Sequence, residues 1–291
     1  TYLGGTSDSI AALAPSPTGS VWVAGTANSP DFLTVAEATY SNGFLLRLDL
    51  EPLPAPTPGV PLVRAIYNSA GFRLGDVVSP GEIVSLFGAE LAPATGTAAG
   101  YPLPEMLQGV SVTIGGVTAP LFYVSPAQIN FQAPFELPVG AASIVVKRGS
   151  QSGVERPVRV IPFSPGIFTA ASDGFHSPAI VHISDYSLVT PQNPAHAGEY
   201  LAIYCTGLGV TGASIRSGDA APPAPSPVQP RVEVVVDSRL ADPVAYAGLA
   251  PGFAGLYQVN FQVFTGETAG TKLVYMSMLG GSSNQVPLYV K

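Results

Sequence analysis

Gln128-Ile129-Asn130-Phe131-Gln132 returns later in the chain as Gln258-Val259-Asn260-Phe261-Gln262. An amide at every second residue, with bulky apolar residues between, is the period of a β-strand that has one face in a core and the other toward water. The surrounding sequence repeats as well. Gly81-Glu82-Ile83-Val84-Ser85-Leu86-Phe87 is echoed by Gly198-Glu199-Tyr200-Leu201-Ala202-Ile203-Tyr204, and residues 143–146 by residues 273–276, after similar spacings. A repeat decides architecture before any motif does, and this one predicts two homologous β-domains, residues 63–163 and 164–291.

Within each copy, turn signals such as Gly115-Gly116, Ser125-Pro126, Leu137-Pro138 and Gly149-Ser150 separate short strand-like runs, which is the spacing of a β-sandwich. With 32 glycines and 30 prolines, uninterrupted helices of ten residues are not expected. Further strand-like runs at residues 9–15, 20–25 and 43–50 predict a small antiparallel meander. The alternating prolines of Glu51-Pro52-Leu53-Pro54-Ala55-Pro56-Thr57-Pro58-Gly59 read as a polyproline spacer, with a linker over residues 51–62. The predicted fold class is all-β: two immunoglobulin-like β-sandwich domains preceded by a single propeller-blade-like antiparallel β-meander.

Ser79-Pro80-Gly81-Glu82-Ile83-Val84-Ser85-Leu86-Phe87-Gly88, residues 110–116, Ala119-Pro120-Leu121-Phe122-Tyr123-Val124-Ser125 and residues 128–134 resemble the IPT/TIG branch of immunoglobulin-like domains. The second copy matches more loosely, with Pro243-Val244-Ala245-Tyr246 in the middle. Tyr2-Leu3-Gly4-Gly5, Ile10-Ala11-Ala12-Leu13-Ala14, Gly19-Ser20-Val21-Trp22-Val23-Ala24-Gly25 and Asn42-Gly43-Phe44-Leu45-Leu46-Arg47-Leu48 resemble one bacterial SBBP-type β-propeller repeat. Residues 63–291 as a whole are similar to an uncharacterised C-terminal domain family of large secreted bacterial proteins. That resemblance implies an extracellular or cell-surface location and brings no catalytic residues. The start at Thr1, with no signal-peptide pattern, reads as a longer precursor after processing.

Twelve basic and 19 acidic residues give a net charge of −7, and Lys147-Arg148 is the only adjacent basic pair. A nucleic-acid or anionic-membrane surface is therefore excluded as an expectation. No apolar run approaches the ~18 residues that span a bilayer. Charged residues make up only 11% of the chain, so much apolar surface must go into cores or subunit contacts. A single cysteine, Cys205, rules out an intrachain disulfide framework.

Each candidate for chemistry has a plainer reading. Gly207-Leu208-Gly209-Val210-Thr211-Gly212 fits a dinucleotide fingerprint, with Asp237 as a ribose acid, but Pro222, Pro223, Pro225, Pro227 and Pro230 forbid the helix it needs. His176, His182 and His196 are too dispersed for a helical zinc pair, and His182 in its apolar run reads as a hydrogen-bonded core histidine. Cys205 matches Gly88 in the first copy and reads as a packing position. Gly149-Ser150-Gln151-Ser152-Gly153 puts glutamine where a nucleophile elbow needs serine. Glu82 and Glu199 recur at strand starts, but in different domains. No enzyme, cofactor or metal is expected.

The expected function is that of a non-catalytic extracellular structural protein that self-associates head to tail through strand and sheet contacts, into a filament or surface layer. One blade leaves both faces of a small sheet uncovered, so Ile10, Leu13, Val21, Trp22, Val23, Phe44, Leu45, Leu46 and Leu48 are expected at contacts between chains. The amide rows Gln128, Asn130, Gln132 and Gln258, Asn260, Gln262 are the second candidate face. Beside Tyr123, Tyr246 and Tyr257 they suit the alternative of a carbohydrate-binding or adhesive module.

Overall fold

The structure is a computed structural model that describes residues 9–15, 20–26, 43–49, 56–72, 75–170, 174–212, 215–279 and 281–291. The regular structure among them is entirely β-strand. The chain divides into two compact units, residues 1–55 and 56–291.

The first unit contains β1 (Ser9–Pro15), β2 (Ser20–Thr26) and β3 (Gly43–Asp49), paired antiparallel in the order β1-β2-β3. Leu13 stands opposite Val23, and Val23 opposite Leu46. The side chains of Ile10, Leu13, Val21, Trp22, Val23, Phe44, Leu45, Leu46 and Leu48 lie outside the described part of the structure.

The second unit holds two sandwiches, with strands numbered in chain order. In the first, one sheet runs β4 (Leu62–Asn68), β6 (Ile83–Ala89), β11 (Gln128–Gln132), β10 (Leu121–Val124), β7 (Gly96–Thr97). Its partner sheet runs β5 (Val77–Val78), β14 (Arg156–Val160), β12 (Gly140–Arg148), β8 (Val110–Ile114), β9 (Val117–Ala119), with β13 (Gln151–Ser152) beside β12. In the second sandwich, β15 (Gly166–Ile167) and β16 (Ile180–His182) lie along one side of β17 (Tyr200–Thr206), with β21 (Tyr257–Gln262) and then β20 (Val244–Leu249) on the other. The facing sheet runs β19 (Arg239–Leu240), β18 (Glu233–Val236), β22 (Gly270–Met278), β23 (Gly281–Ser282), with β24 (Val286–Val290) also on β22. Among the described residues all strand pairs are antiparallel except β5 with β14.

The alternation read in the sequence builds both cores. Ile129 and Phe131 are fully buried with Leu86, Val112 and Ile144, and Val259 and Phe261 with Ile203, Val234 and Met276. Each large apolar side chain so enclosed contributes about 1.5–3 kcal/mol. Strand β10 carries a bulge between Leu121 and Tyr123, and β20 carries one at the matching place between Val244 and Tyr246. The repeat therefore extends to a local irregularity.

Candidate functional site

Two surfaces follow from this architecture: the junction of the sandwiches and the amide rows on their outer faces.

At the junction, Glu82 is fully buried. Its carboxyl accepts from Asn68 Nδ2 at 2.9 Å, from the Ser79 N–H at 2.7 Å and from Ser79 Oγ at 3.2 Å. Burial pushes this carboxyl up to about 8, against the lowering effect of its hydrogen bonds from Ser79, Asn68 and Ser164. Asn68 Nδ2 also donates across the junction to the Ser164 carbonyl at 2.8 Å, while its Oδ1 accepts the N–H groups of Ala70 and Gly71. Two donors and two acceptor positions are thus all in use.

The remaining junction contacts are equally directed. Thr206 Oγ1 accepts the Ile83 N–H at 2.9 Å and donates to the Gly255 carbonyl at 2.8 Å. Gly218 is held from both sides, donating its N–H to Gln132 Oε1 at 2.7 Å and accepting the Leu103 N–H at 2.8 Å. Gly81, at φ 79°, leaves no room for a Cβ, which would collide with Phe135 and the Tyr257 hydroxyl. Tyr257, which the sequence suggests as a tyrosine for sugar contact, is instead fully buried and donates to the Gly209 carbonyl at 2.5 Å. Gln132 also departs from expectation, because the second sandwich covers it completely. Among the described residues its Nε2 is the one buried side-chain nitrogen or oxygen without a partner.

The glycine-rich stretch belongs to this junction too. A Cβ at Gly207 (φ 79°) would collide with the Ser164 carbonyl, and one at Gly209 (φ 80°) would lie 2.6 Å from the Pro162 carbonyl. The glycines let two backbones meet, and among the described residues no helix follows them to complete a phosphate cradle.

The other amides remain on outer faces. Gln128 Nε2 donates to Asn130 Oδ1 at 2.8 Å, and Gln258 Nε2 to Asn260 Oδ1 at 2.7 Å. Gln128 lies opposite Phe87, and Asn130 opposite Ser85 and Tyr123. Phe87 meets Tyr67 edge-on at 5.6 Å, and Tyr67 meets Phe72 at 6.1 Å. In the second sandwich Gln258 lies opposite Tyr204, Asn260 opposite Tyr246, and Gln262 opposite Tyr200. Tyr246 donates to the Leu249 carbonyl at 2.8 Å, and a Cβ at Gly248 would lie 2.6 Å from its hydroxyl, so its ring runs along the strand over that glycine. Gln262 Nε2 donates to the Gly198 carbonyl at 2.8 Å.

His182 is 6% exposed, with Nδ1 at 2.6 Å from Glu199 Oε1 and Nε2 at 3.2 Å from the Asn193 carbonyl, so both ring nitrogens have partners. Glu199 Oε2 accepts the His196 N–H at 2.9 Å, three residues back, just as Glu82 accepts that of Ser79. Sequence reasoning found both glutamates but missed that each caps its own turn. The signal was present in the shared Gly-Glu spacing. Cys205 is fully buried, and burial pushes its thiol far up. Gly88, its counterpart, has no room for a Cβ beside the Leu62 carbonyl. An open groove of about 620 Å³ lies elsewhere, lined by Gln229, Pro230, Arg231, Glu233, Ser277 and Leu279. Among the described residues no three His, Cys, Asp or Glu side chains gather as metal ligands, and no helix is long and apolar enough to cross a membrane.

The class these observations define is an all-β chain carrying immunoglobulin-like sandwiches. No protein-family model matches it, and no curated protein does. Solved structures similar to it include the Bacteroides ovatus mixed-linkage glucan utilization locus protein SGBP-B in complex with a mixed-linkage heptasaccharide, at 12% identity and TM-score 0.33, covering 94% of this chain and 54% of that one. Others are titin Ig tandem domains, at 11% identity and TM-score 0.21 over 81% and 98% of the two chains, and S-layer protein SbsC domains 5–6, at 12% and 0.23 over 79% and 98%. The chain spans about half the length of the first of these.

Proposed function

We propose that the chain is a non-catalytic structural module of the bacterial cell exterior whose copies associate head to tail, with a blade-like meander over residues 1–50, a linker over 51–62 and sandwiches over 63–163 and 164–291. One observation carries this reading: the surface on which the first sandwich receives the second recurs on the second. Gly81, Glu82, Ile83 and Gln132 have as counterparts Gly198 (φ 82°), Glu199, Tyr200 and Gln262. Ile83 and Gln132 bond to the neighbouring sandwich, whereas Tyr200 is 40% exposed. Strand β17 carries the docked Thr206 at one end and Tyr200 at the other, so a contact at Tyr200 continues the direction of the internal one.

Contacts between unlike ends propagate into a filament unless the rotation closes a ring. The three-stranded sheet of the first unit has β1 and β3 at its edges, and such edges pair with other chains unless covered. The scarcity of charge and the resemblance to secreted domains support an exterior location. Sedimentation velocity over a concentration series tests the reading. The full chain is expected to form species that grow with concentration, and Tyr200→Asp and deletion of residues 1–50 to return it toward the monomer. A full chain that stays monomeric at high concentration overturns the proposal.

A further inference from the structure

The outer faces hold a feature that head-to-tail association does not use. In both sandwiches a glutamine donates to the asparagine two residues on, at 2.8 and 2.7 Å. This bond uses one of the two glutamine N–H groups and one of the two acceptor positions of the asparagine oxygen. Each pair therefore turns a free acceptor, Gln128 Oε1 or Gln258 Oε1, and a free donor, Asn130 Nδ2 or Asn260 Nδ2, toward solvent. Such a pair matches neighbouring sugar hydroxyls, which donate and accept together.

Aromatic side chains flank both pairs at equivalent positions. On one side stand Phe87 with Tyr67, and Tyr204 in the second copy. On the other stand Tyr123 and Tyr246, each brought opposite its asparagine by the bulge in the neighbouring strand. A bulge re-aims a side chain and is costly to keep without a use. The two copies differ at most outward positions of these strands, Ser85 against Ala202 and Ile83 against Tyr200, yet keep the amide pair, the tyrosine and the bulge. Aromatic rings offer apolar area at small entropic cost and take the C–H faces of pyranose rings.

The register also restricts the ligand's charge. None of the residues opposite the amide pairs, Phe87, Ser85 and Tyr123 or Tyr204, Ala202, Gly248 and Tyr246, is an aspartate, glutamate, lysine, arginine or histidine. The sites are sheet faces rather than pockets, which suits the side of a polymer and not its end.

We propose that each sandwich carries one binding site for a neutral polysaccharide, formed by Gln128, Asn130 and Tyr123 in the first and by Gln258, Asn260 and Tyr246 in the second. Two sites on one chain raise avidity for a polymer offering many repeats.

Affinity electrophoresis of the full chain in gels containing hydroxyethyl cellulose, galactomannan or dextran, with alginate as the anionic control, tests this. At least one neutral polymer is expected to retard the chain equally in 0.1 M and 1 M NaCl. Gln128→Ala/Asn130→Ala and Gln258→Ala/Asn260→Ala should each weaken retardation at least tenfold, and the combined variant should abolish it with an unchanged dichroism spectrum. If the alanine variants misfold, the isosteric Gln128→Glu and Gln258→Glu variants, which cannot donate to the asparagines, should show the same loss. The proposal is overturned if no neutral polymer retards the chain, if only alginate does so in a salt-sensitive way, or if correctly folded variants bind as the parent does.

Discussion

Asn68 and Glu82 are joined side chain to side chain at 2.9 Å within the first sandwich, and His182 and Glu199 hold the matching positions in the second at 2.6 Å. The same turn has thus been finished with an asparagine where a second sandwich covers it and with a histidine where none does. A fully buried glutamate is the less comfortable solution, because its ionised form has lost its water.

Stability should follow the Glu82 proton. The folded chain holds it to about pH 8, whereas an unfolded glutamate releases it near 4.5. Between those values the unfolded state binds fewer protons, so the contribution of Glu82 to stability is fully present below about 4.5, falls as pH rises and is lost above about 8. Glu82→Gln removes this slope. Relative to the parent it should gain with pH across that window, by at most about 1.4 kcal/mol per unit. Urea melts at pH 5 and pH 8 that show the same difference would refute it.

The histidine pair should be needed for the second sandwich. His182→Ala removes the side-chain partner of the Glu199 carboxyl and of the Asn193 carbonyl and should cost about 1–3 kcal/mol. His182→Asn, which copies the Asn68 arrangement, should cost less. Equal losses in thermal melts would show that only volume matters there.

Two equivalent glycines should respond differently. Alanine at Gly81 meets Phe135 and the Tyr257 hydroxyl and should loosen the junction, with a loss above about 3 kcal/mol. Alanine at Gly198 meets only Thr265, at 3.5 Å, and should cost the backbone strain of its positive φ, about 1–3 kcal/mol. Denaturant midpoints of the two variants decide between them.

Cys205 should be silent toward thiol reagents. It is fully enclosed, and burial disfavours its thiolate. Ellman's reagent is expected to label it only after unfolding, and Cys205→Ser to change stability modestly without affecting assembly or binding. Rapid labelling of the folded chain would contradict this.

A fragment from Pro56 onward should fold cooperatively and stay soluble, since that unit contains both sandwich cores. A broad or absent unfolding transition would show that the first unit shares their stability.

What the sequence by itself determined is set by local period. Alternation in Gln128-Ile129-Asn130-Phe131-Gln132 and its echo made strands with a defined inner face, and glycines and prolines ended them. The strands Ser9–Pro15 and Gly43–Asp49 stand where composition put them, to within a residue. Only the tertiary structure decided which outward residues stay outward. Gln132 and Asn130 lie on one face of one strand, yet the first is buried by Gly218 and the second is not. Tyr257, in phase with the buried Val259 and Phe261, instead follows the alternation and points inward to Gly209. The reason is that alternation fixes the side of a sheet on which a residue lies, whereas burial of that side depends on contacts between residues about a hundred positions apart, for which the chain carries no local signal.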